Sequence, residues 1–400
     1  MSTFQRSLYK PRPMLQPALQ RWSLRVGSFC TQRFDEKRLG WRVFNRTFMA
    51  QPRVKQRHGE LVARMLSGAW RRNPPALETC EEEIEAVTPQ LLGSGAGALG
   101  WRRISNTQFR TSPAALKLQQ AYRLQTLYAG LHEVEIEQVI QILSAERIDP
   151  LLIKGRVAAA MYPELGLRPY GDIDLCFDPG QYKMAVTILS AHGRNASSVD
   201  VHNGIEAVYG LSFNEVIARA TTIKVGKVVV RVPCFEDHLR ILCIHFLKHG
   251  AWRPLSLCDI AAALEARQEG TDWDRCLSGD KRIINWVSCT IGLAHKLLGA
   301  SLNDVPVLAG AKKLPRWLAA AVLRQWARPY PQSNETPEFF KLNLREPALL
   351  KSEIQKRWPN PIKATMYFGG SFNELPRLPF QLGNFISLGL RSLGRFPRDL

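Results

Sequence analysis

The chain has 400 residues, of which 45% are hydrophobic, and a formal net charge of +19. Its length and composition are typical of a globular protein with two or three domains. They argue against a membrane protein, because no run reaches the ~18 uncharged apolar residues that a membrane helix needs. The eight cysteines form no Cys-x-x-Cys pair, which argues against a zinc site and favours a reducing, cytoplasmic location.

The positive charge is concentrated in the N-terminal region. Residues 1–72 hold sixteen Lys and Arg against three Asp and Glu. Residues 1–64 show no sustained helical or strand period, so we interpret them as a basic, disordered arm. Three origins of the arm stay open: a flexible extension that binds RNA or acidic partners, an Arg-rich targeting peptide, or upstream sequence that precedes a start at Met49 or Met65. We favour the last of these.

The next region, residues 65–147, is predicted to be helical. An acidic helix is expected over residues 78–88, followed by a flexible Gly-rich loop over residues 93–97. Ser112 and Pro113 then begin a long helix over residues 114–145, whose apolar residues recur at helical spacing. We expect this helix to pack beside a sheet.

Residues 148–234 carry the strand signals, and they predict a small mixed β-sheet. The segment 149–153 is a short apolar run, residues 198–202 form another, and residues 222–232 read as a hairpin around Gly226 and Lys227. Residues 235–328 are predicted to form a helical domain, and residues 329–400 a Pro-rich, irregular tail. The expected fold class is therefore α+β: a mixed sheet flanked by an N-terminal helical segment and a C-terminal helical domain.

The most informative motif of the sheet region is Asp172-Ile173-Asp174, which precedes Leu175 and Phe177. On a strand, residues two apart point to the same face, at a Cα separation of roughly 6.5 Å. Two carboxylates on one face are suited to hard divalent cations that also hold substrate phosphates. Asp200, on the strand of residues 198–202, is a candidate third carboxylate, and His202 shares its face.

A second motif, Lys154-Gly155, lies between a predicted strand and a predicted helix. Glycine lets a ligand approach the backbone, and the lysine adds a positive charge, so the turn is expected to contact phosphate. Arg168 is expected to neutralise phosphate charge or to pair with the aspartates. His245 and His249 share one helix face, but they lack the glutamate of a zinc protease. A structural role, or stacking on a nucleotide together with Trp252, is expected for them instead, and Asp259 is a candidate to cap or pair with these histidines.

The whole run LLIKGRVAAAMYPELGLRPYGDIDLCF, residues 151–177, resembles the signature of the uncharacterised nucleotidyltransferase family. That family is a branch of the DNA polymerase β-like nucleotidyltransferase superfamily. Weaker similarity extends over residues 78–385, including residues 245–260 and 357–361. One difference is that most members of the superfamily carry Gly-Ser where this chain has Lys154-Gly155, so a serine contact to phosphate is missing.

The resemblance implies a nucleotidyltransferase core and a metal-dependent activity. Two Mg²⁺ ions, or Mn²⁺ in their place, would be held by Asp172, Asp174 and Asp200, which would also be the catalytic residues. Nucleotide binding is assigned to four residues: Lys154, Gly155, Arg168 and Gly171. A nucleoside monophosphate would pass from a nucleoside triphosphate such as ATP to an acceptor hydroxyl or phosphate, with release of pyrophosphate.

The acceptor is not determined by the sequence, although a small molecule or a protein is favoured over RNA. Two alternative functions are a nucleotide- or partner-binding module of the same fold without turnover, and a transferase that adds nucleotides to RNA ends. The first would be favoured if the third carboxylate were absent from the site. The second is suggested by the basic arm.

Overall fold

The computed structural model describes residues 53–193, 199–205, 209–303, 305, 314–328, 354–355 and 357–393. Within these ranges the chain forms two compact units, residues 53–328 with 371–375 and residues 354–370 with 376–393. The first unit contains the sheet and all of the candidate site residues. Residues 1–52 of the predicted basic arm lie outside the described residues.

Four described helices precede the sheet: α1 (Arg53–Leu66), α2 (Glu81–Ser94), α3 (Gly97–Ile104) and α4 (Pro113–Ala145). The start of α4 follows from its sequence, since the Ser112 hydroxyl accepts a hydrogen bond from the Ala115 N–H and Pro113 occupies the first turn. The long predicted helix is thus confirmed.

The Gly-rich stretch of residues 93–97 is not a flexible break, which corrects the prediction. Helix α2 continues through Ser94 and ends at Gly95, whose φ of 80° places it in the left-handed region. Its N–H closes the last turn of the helix, an arrangement that glycine favours because it has no Cβ. Helix α3 begins two residues later, so the glycines make a tight corner between two helices.

Helix α1 includes residues 53–64, which the sequence had assigned to the arm. It packs against a later helix, α12 (Arg316–Trp326), and buries Val62, Met65 and Leu66. The approach is close at Gly59, where a Cβ would clash with the backbone carbonyl of Leu323. The basic composition of this stretch concealed a short apolar face that is buried by the fold.

We expect Gly59→Ala to destabilise the first unit, because its Cβ would clash with backbone rather than with a movable side chain. Overpacking of this kind costs about 1–3 kcal/mol. Gly130→Ala is the matched control, since a Cβ there meets nothing within 4 Å and Gly130 also lies inside a helix. The Gly130→Ala variant should have a free energy of unfolding about 0.5–1 kcal/mol higher than that of the wild type. Urea unfolding measures both, and equal midpoints would contradict the close contact of α1 with α12.

The sheet region alternates strands and short helices: β1 (Leu151–Ile153), α5 (Gly155–Ala159), β2 (Ile173–Phe177), α6 (Tyr182–Ala191), β3 (Val199–Asn203), α7 (Phe213–Ala218), β4 (Thr221–Val225) and β5 (Val228–Val232). The five strands lie in the order β3-β2-β1-β5-β4. β2 pairs with β3 and β1 with β5 in parallel, whereas β1–β2 and β4–β5 are antiparallel. The predicted α+β fold with a mixed sheet is confirmed.

The core of this region lies between helix α4 and the sheet. Ile136, Val139 and Leu143 from the C-terminal half of α4 are buried in one cluster with Leu175 and Val230. Another apolar group on the same helix, which the helical period had also suggested for packing, is exposed: Leu127, Leu131 and Val134. Periodicity identified the helix but not the extent of its buried face.

The helical region that follows contains α8 (Phe235–Lys248), α9 (Pro254–Ala266), α10 (Trp273–Cys276), α11 (Lys281–Leu298) and α12 (Arg316–Trp326). These helices agree with the helical prediction for residues 235–328. None of the helices in the described part of the chain is both long and apolar enough to cross a membrane.

The second unit contains α13 (Pro361–Tyr367) and α14 (Leu378–Leu393). The Asn360 side chain caps α13 by accepting hydrogen bonds from Ile362 and Lys363, and Gln381 donates to the carbonyl of Pro359. The sequence had predicted an irregular tail here. Pro361 and Pro379 lie in the first turns of these helices, where proline is tolerated, and do not prevent them from forming.

Candidate active site

The register of the sheet brings Lys154, Asp174 and Asp200 together. Asp174 on β2 lies beside Ile153 of β1 on one side and beside Asp200 of β3 on the other. Lys154 directly follows Ile153, so it leaves the sheet next to Asp174. The sequence predicted both motifs, and the strand order adds that they lie on adjacent strands.

A compact hydrogen-bonded group results from this register. The Asp174 carboxylate, which is 4% exposed, forms an ion pair with the Lys154 ammonium. The Nε2 of His202 lies 3.1 Å from Oδ1 of Asp174 and 3.3 Å from Oδ2 of Asp200. Burial lowers the pKa of His202, but its hydrogen bonds to the two carboxylates outweigh that effect and raise it to about 9.

The electrostatic environment differs between the other two carboxylates. The hydrogen bond from His202 lowers the pKa of Asp200, with further help from the positive charge of Lys154. Loss of solvent raises the pKa of Asp172, and the negative charge of Asp174 adds to this effect. Asp172 lies one residue before β2 on the exposed side, and it lines the same cavity as Asp174 and Asp200.

The donor atoms of Asp174, Asp200 and His202 all lie within 4.8 Å of one another. Ligands on opposite sides of a bound Mg²⁺ are about 4 Å apart, since each lies 2.0–2.1 Å from the ion. The group therefore has the dimensions of a single coordination sphere. Carboxylate oxygens suit Mg²⁺ and Mn²⁺, while an imidazole nitrogen is the less usual ligand for Mg²⁺.

The turn at Lys154 has an unusual backbone. Its φ of 57° and ψ of −123° are rarely adopted by a residue with a side chain. Gly155 follows, where a Cβ would approach Tyr170 Cβ at 3.3 Å and the carbonyl oxygen of Asp172 at 3.4 Å. The glycine is thus packed against the segment that leads into β2. Helix α5 has only five residues, too few for a strong helix dipole to act on phosphate.

Arg168 is held by a partner that the sequence did not suggest. Its Nη2 lies 2.7 Å from Oδ2 of Asp259 on α9, and its Nε contacts both oxygens of that carboxylate. Tyr162 donates a hydrogen bond of 2.8 Å to Asp259, and the third guanidinium nitrogen donates to the carbonyl of Pro169. Asp259, which was expected near the histidines of α8, is instead the buried anchor of Arg168.

A cavity of about 440 Å³ opens over these strands, and the start of α9 and the end of α8 form its other wall. Asp172, Asp174 and Asp200 line one wall. The second wall contains three groups from the end of α8, His245, Lys248 and His249, together with Trp252 and Arg253. The cavity therefore has an acidic wall and a basic, aromatic wall.

The surroundings of two residues in the second wall, Lys248 and His245, shift their pKa values. Loss of solvent lowers the pKa of Lys248, and the positive charge of Lys154 lowers it further, so the two ammonium groups share the cavity. Burial lowers the pKa of His245 well below its usual range, which keeps that ring uncharged at neutral pH. The His245 and His249 rings are 4.4 Å apart. This wall offers both a cation and flat rings to a ligand.

Sequence reasoning brought some of these residues to attention and missed others. Gly171 lines the cavity as expected, with nothing within 4 Å of a Cβ there. His202 could have been assigned as a metal ligand from its spacing of two from Asp200. Nothing in the local sequence marked Lys248 and Arg253, since only the packing of α8 and α9 over the sheet brings them to the cavity.

Comparison with known proteins gives one family. The family model described as "Uncharacterised nucleotidyltransferase" matches residues 83–299, more than half of the chain. The matched range includes every strand and the complete cavity, whereas the weaker likeness noted for residues 357–361 lies outside it. The search found no curated protein and no solved structure with a significant match. On the strength of the family match, the chain belongs to the uncharacterised nucleotidyltransferase family.

Proposed function

We propose that this protein transfers a nucleoside monophosphate from a nucleoside triphosphate to an acceptor hydroxyl or phosphate and releases pyrophosphate. The observation that carries the proposal is the cavity itself, in which the three carboxylates face Lys248 and Arg253. A triphosphate that is bound through a divalent cation needs anionic ligands for the cation and positive charge for its own oxygens. The acidic wall provides the anionic ligands, and the basic wall provides the positive charge.

Asp172, Asp174 and Asp200 are proposed to hold Mg²⁺, with Mn²⁺ as the alternative. The donor set fits such a cation, because it consists of carboxylates, and two of them, Asp174 and Asp200, already lie close together with His202. When bound, the cation supplies Lewis-acid stabilisation of the negative charge on the reacting and departing phosphates. Asp200 is also placed to accept the proton of an acceptor hydroxyl, since half of its side chain is open to solvent.

The nucleotide would lie across the cavity. Lys248 and Arg253 are proposed to contact its phosphates, and the rings of His245 and Trp252 to border its base or sugar. Lys154, Gly155 and Gly171 line the opposite side, where the open space beside Gly171 admits a phosphate group. Arg168 is proposed to support the site from behind through Asp259, because all three of its nitrogens already have acceptors.

The acceptor is proposed to be a small molecule or a protein rather than RNA. Most of the net positive charge lies in residues 1–72, so the region of the sequence that contains the site lacks the strongly basic composition typical of nucleic-acid-binding domains. A binding module without turnover is less well supported, because Asp200 lies beside Asp174 on the adjacent strand. We propose a cytoplasmic location, which the seven described cysteines, all free thiols, support.

We expect Asp200→Asn to keep triphosphate affinity within a few-fold of wild type and to lower turnover by about 10²-fold or more, the usual scale for loss of a general base. The substitution preserves size but removes a charge at the acceptor side. Pyrophosphate release is the measurement, with labelled nucleoside triphosphate, Mg²⁺ and a cell extract as the source of acceptor. Mass spectrometry of the labelled product then identifies the acceptor.

Asp178→Asn is the control for this variant. Asp178 lies at the turn after β2, where it caps the N–H of Gly180 at 2.7 Å and is not part of the cavity lining. The Asp178→Asn protein should transfer the labelled nucleoside monophosphate at the wild-type rate. Wild-type turnover in Asp200→Asn would remove that residue from the mechanism. Failure of the wild-type protein to bind any nucleoside triphosphate in the presence of Mg²⁺ would contradict the proposed function as a whole.

A further inference from the structure

We infer that the ammonium group of Lys154 occupies the place of a second cation, so that the carboxylate cluster takes one divalent ion and not two. This inference rests on the proposed function and specifies the metal content of the same site. It also departs from the two ions that the sequence resemblance implied.

The first ground is the position of the ammonium group. The Lys154 side chain is 9% exposed and forms an ion pair with the Asp174 carboxylate. Its Nζ also lies 3.5 Å from Nε2 of His202, which itself contacts both Asp174 and Asp200. The positive charge of Lys154 acts on Asp172 as well. Lys154 is therefore surrounded by the same groups that would surround a metal.

The second ground is how firmly the fold holds Lys154 there. Strand β1 ends one residue earlier, opposite Asp174, and the turn at Lys154 has a positive φ. Gly155 is packed against Tyr170 and the backbone of Asp172 immediately afterwards. An unusual backbone conformation persists only where the surroundings determine it. The lysine is consequently a fixed part of the cluster and not a surface side chain that has turned inward.

The third ground is the balance of charge. When His202 binds the cation as a neutral imidazole, one divalent cation and one ammonium group together neutralise three carboxylates, whereas a second divalent cation would leave a positive excess in a half-enclosed site. The negative charge of a triphosphate has other partners, because Lys248 lines the opposite wall and makes no ion pair with any residue in the described ranges. The substrate thus does not require a second ion for its own neutralisation.

The fourth ground is the size of the ligand group. Among the described residues, only Asp174, Asp200 and His202 bring donor atoms within 4.8 Å of one another, and Asp172 lies outside that group. Two ions in one site are typically bridged by shared carboxylates at a separation of about 3.5–4 Å. The bridging position next to Asp174 is the one that the Lys154 ammonium occupies.

The test counts Mn²⁺ ions. In solution, electron paramagnetic resonance of free Mn²⁺ gives the number bound per chain for the wild type, Lys154→Met, Lys154→Arg and a control, Lys296→Met. Lys296 lies in the last turn of α11, is exposed, and is not part of the cavity. We expect one ion for the wild type, Lys154→Arg and Lys296→Met, and two for Lys154→Met. Thermal melting of each variant verifies folding, and Lys154→Gln replaces Lys154→Met if the latter does not fold.

A second, independent count of bound Mn²⁺ ions comes from anomalous scattering by crystals of the wild type grown with Mn²⁺ and a non-hydrolysable nucleoside triphosphate. We expect one peak within coordination distance of the carboxylates of residues 172, 174 and 200. Two such peaks, or a single Mn²⁺ in the folded uncharged variant at position 154, would overturn the inference and leave the proposed function intact. Absence of any bound Mn²⁺ in the wild type would overturn both.

Discussion

Asp172→Asn and Asp174→Asn should both abolish nucleotidyl transfer, but only Asp174→Asn should change the stability of the fold. Each substitution removes a carboxylate from the proposed cation site. The loss of activity should exceed the roughly 100-fold that removing an outer-shell partner of a metal typically costs. Asp174 is buried and pairs with Lys154 and His202, whereas Asp172 is exposed. Leaving a buried charged partner unsatisfied costs about 1–3 kcal/mol or more.

Pyrophosphate release and urea unfolding of the same two preparations separate these effects. The Asp178→Asn protein should match the wild type in both measurements, because its carboxylate caps a turn away from the cavity. Transfer at the wild-type rate by either the position-172 or the position-174 variant would refute the assignment of the acidic wall. Equal unfolding midpoints for these two variants would show that the ion pair with Lys154 contributes nothing to the fold.

Arg168→Met should destabilise the protein by about 3–5 kcal/mol, the usual cost of removing one partner of a buried ion pair. The Asp259 carboxylate is 1% exposed and would keep only the hydrogen bond from Tyr162. Arg231→Met is the matched control, because Arg231 pairs with Asp149 on the surface, where both side chains are about half exposed. Exposed pairs contribute about 0–1 kcal/mol.

A double-mutant cycle measures how strongly Arg168 and Asp259 are coupled. Arg168→Met combined with Asp259→Asn should cost clearly less than the sum of the two single variants, since the pair acts as a unit. Urea unfolding supplies all four free energies. If Arg168 instead served mainly as the phosphate contact that the sequence suggested, Arg168→Met would unfold at the wild-type midpoint and lose only triphosphate affinity.

The parts of the site that the sequence predicted are those set by local spacing. Asp172 and Asp174 are two residues apart, and Lys154 directly follows an apolar run, so neither required knowledge of the fold. The sequence also predicted the hairpin of β4 and β5, because a Gly226-Lys227 turn joins two runs of β-branched residues. The proximity of Asp200 to Asp174 depended on the order of the strands, which a short motif does not determine.

The parts that the sequence did not predict depend on contacts between distant segments. Asp259 lies ninety-one residues after Arg168, and no spacing rule connects a loop arginine with an aspartate inside a helix. The same holds for Lys248 on α8. For α1, the abundance of basic residues suggested disorder, yet burial of Val62 and Leu66 against neighbouring helices supplies apolar contact that net charge does not reveal.

The backbone at Lys154 combines a strained conformation with a stabilising charge in a single residue. A φ of 57° costs a side-chain-bearing residue of order 1–3 kcal/mol relative to an unstrained conformation, and glycine would avoid most of that cost. Glycine would also leave the buried Asp174 carboxylate without its ion-pair partner, which costs about 3–5 kcal/mol. Engineering for thermal stability at position 154 would therefore have to replace both residues of the pair together.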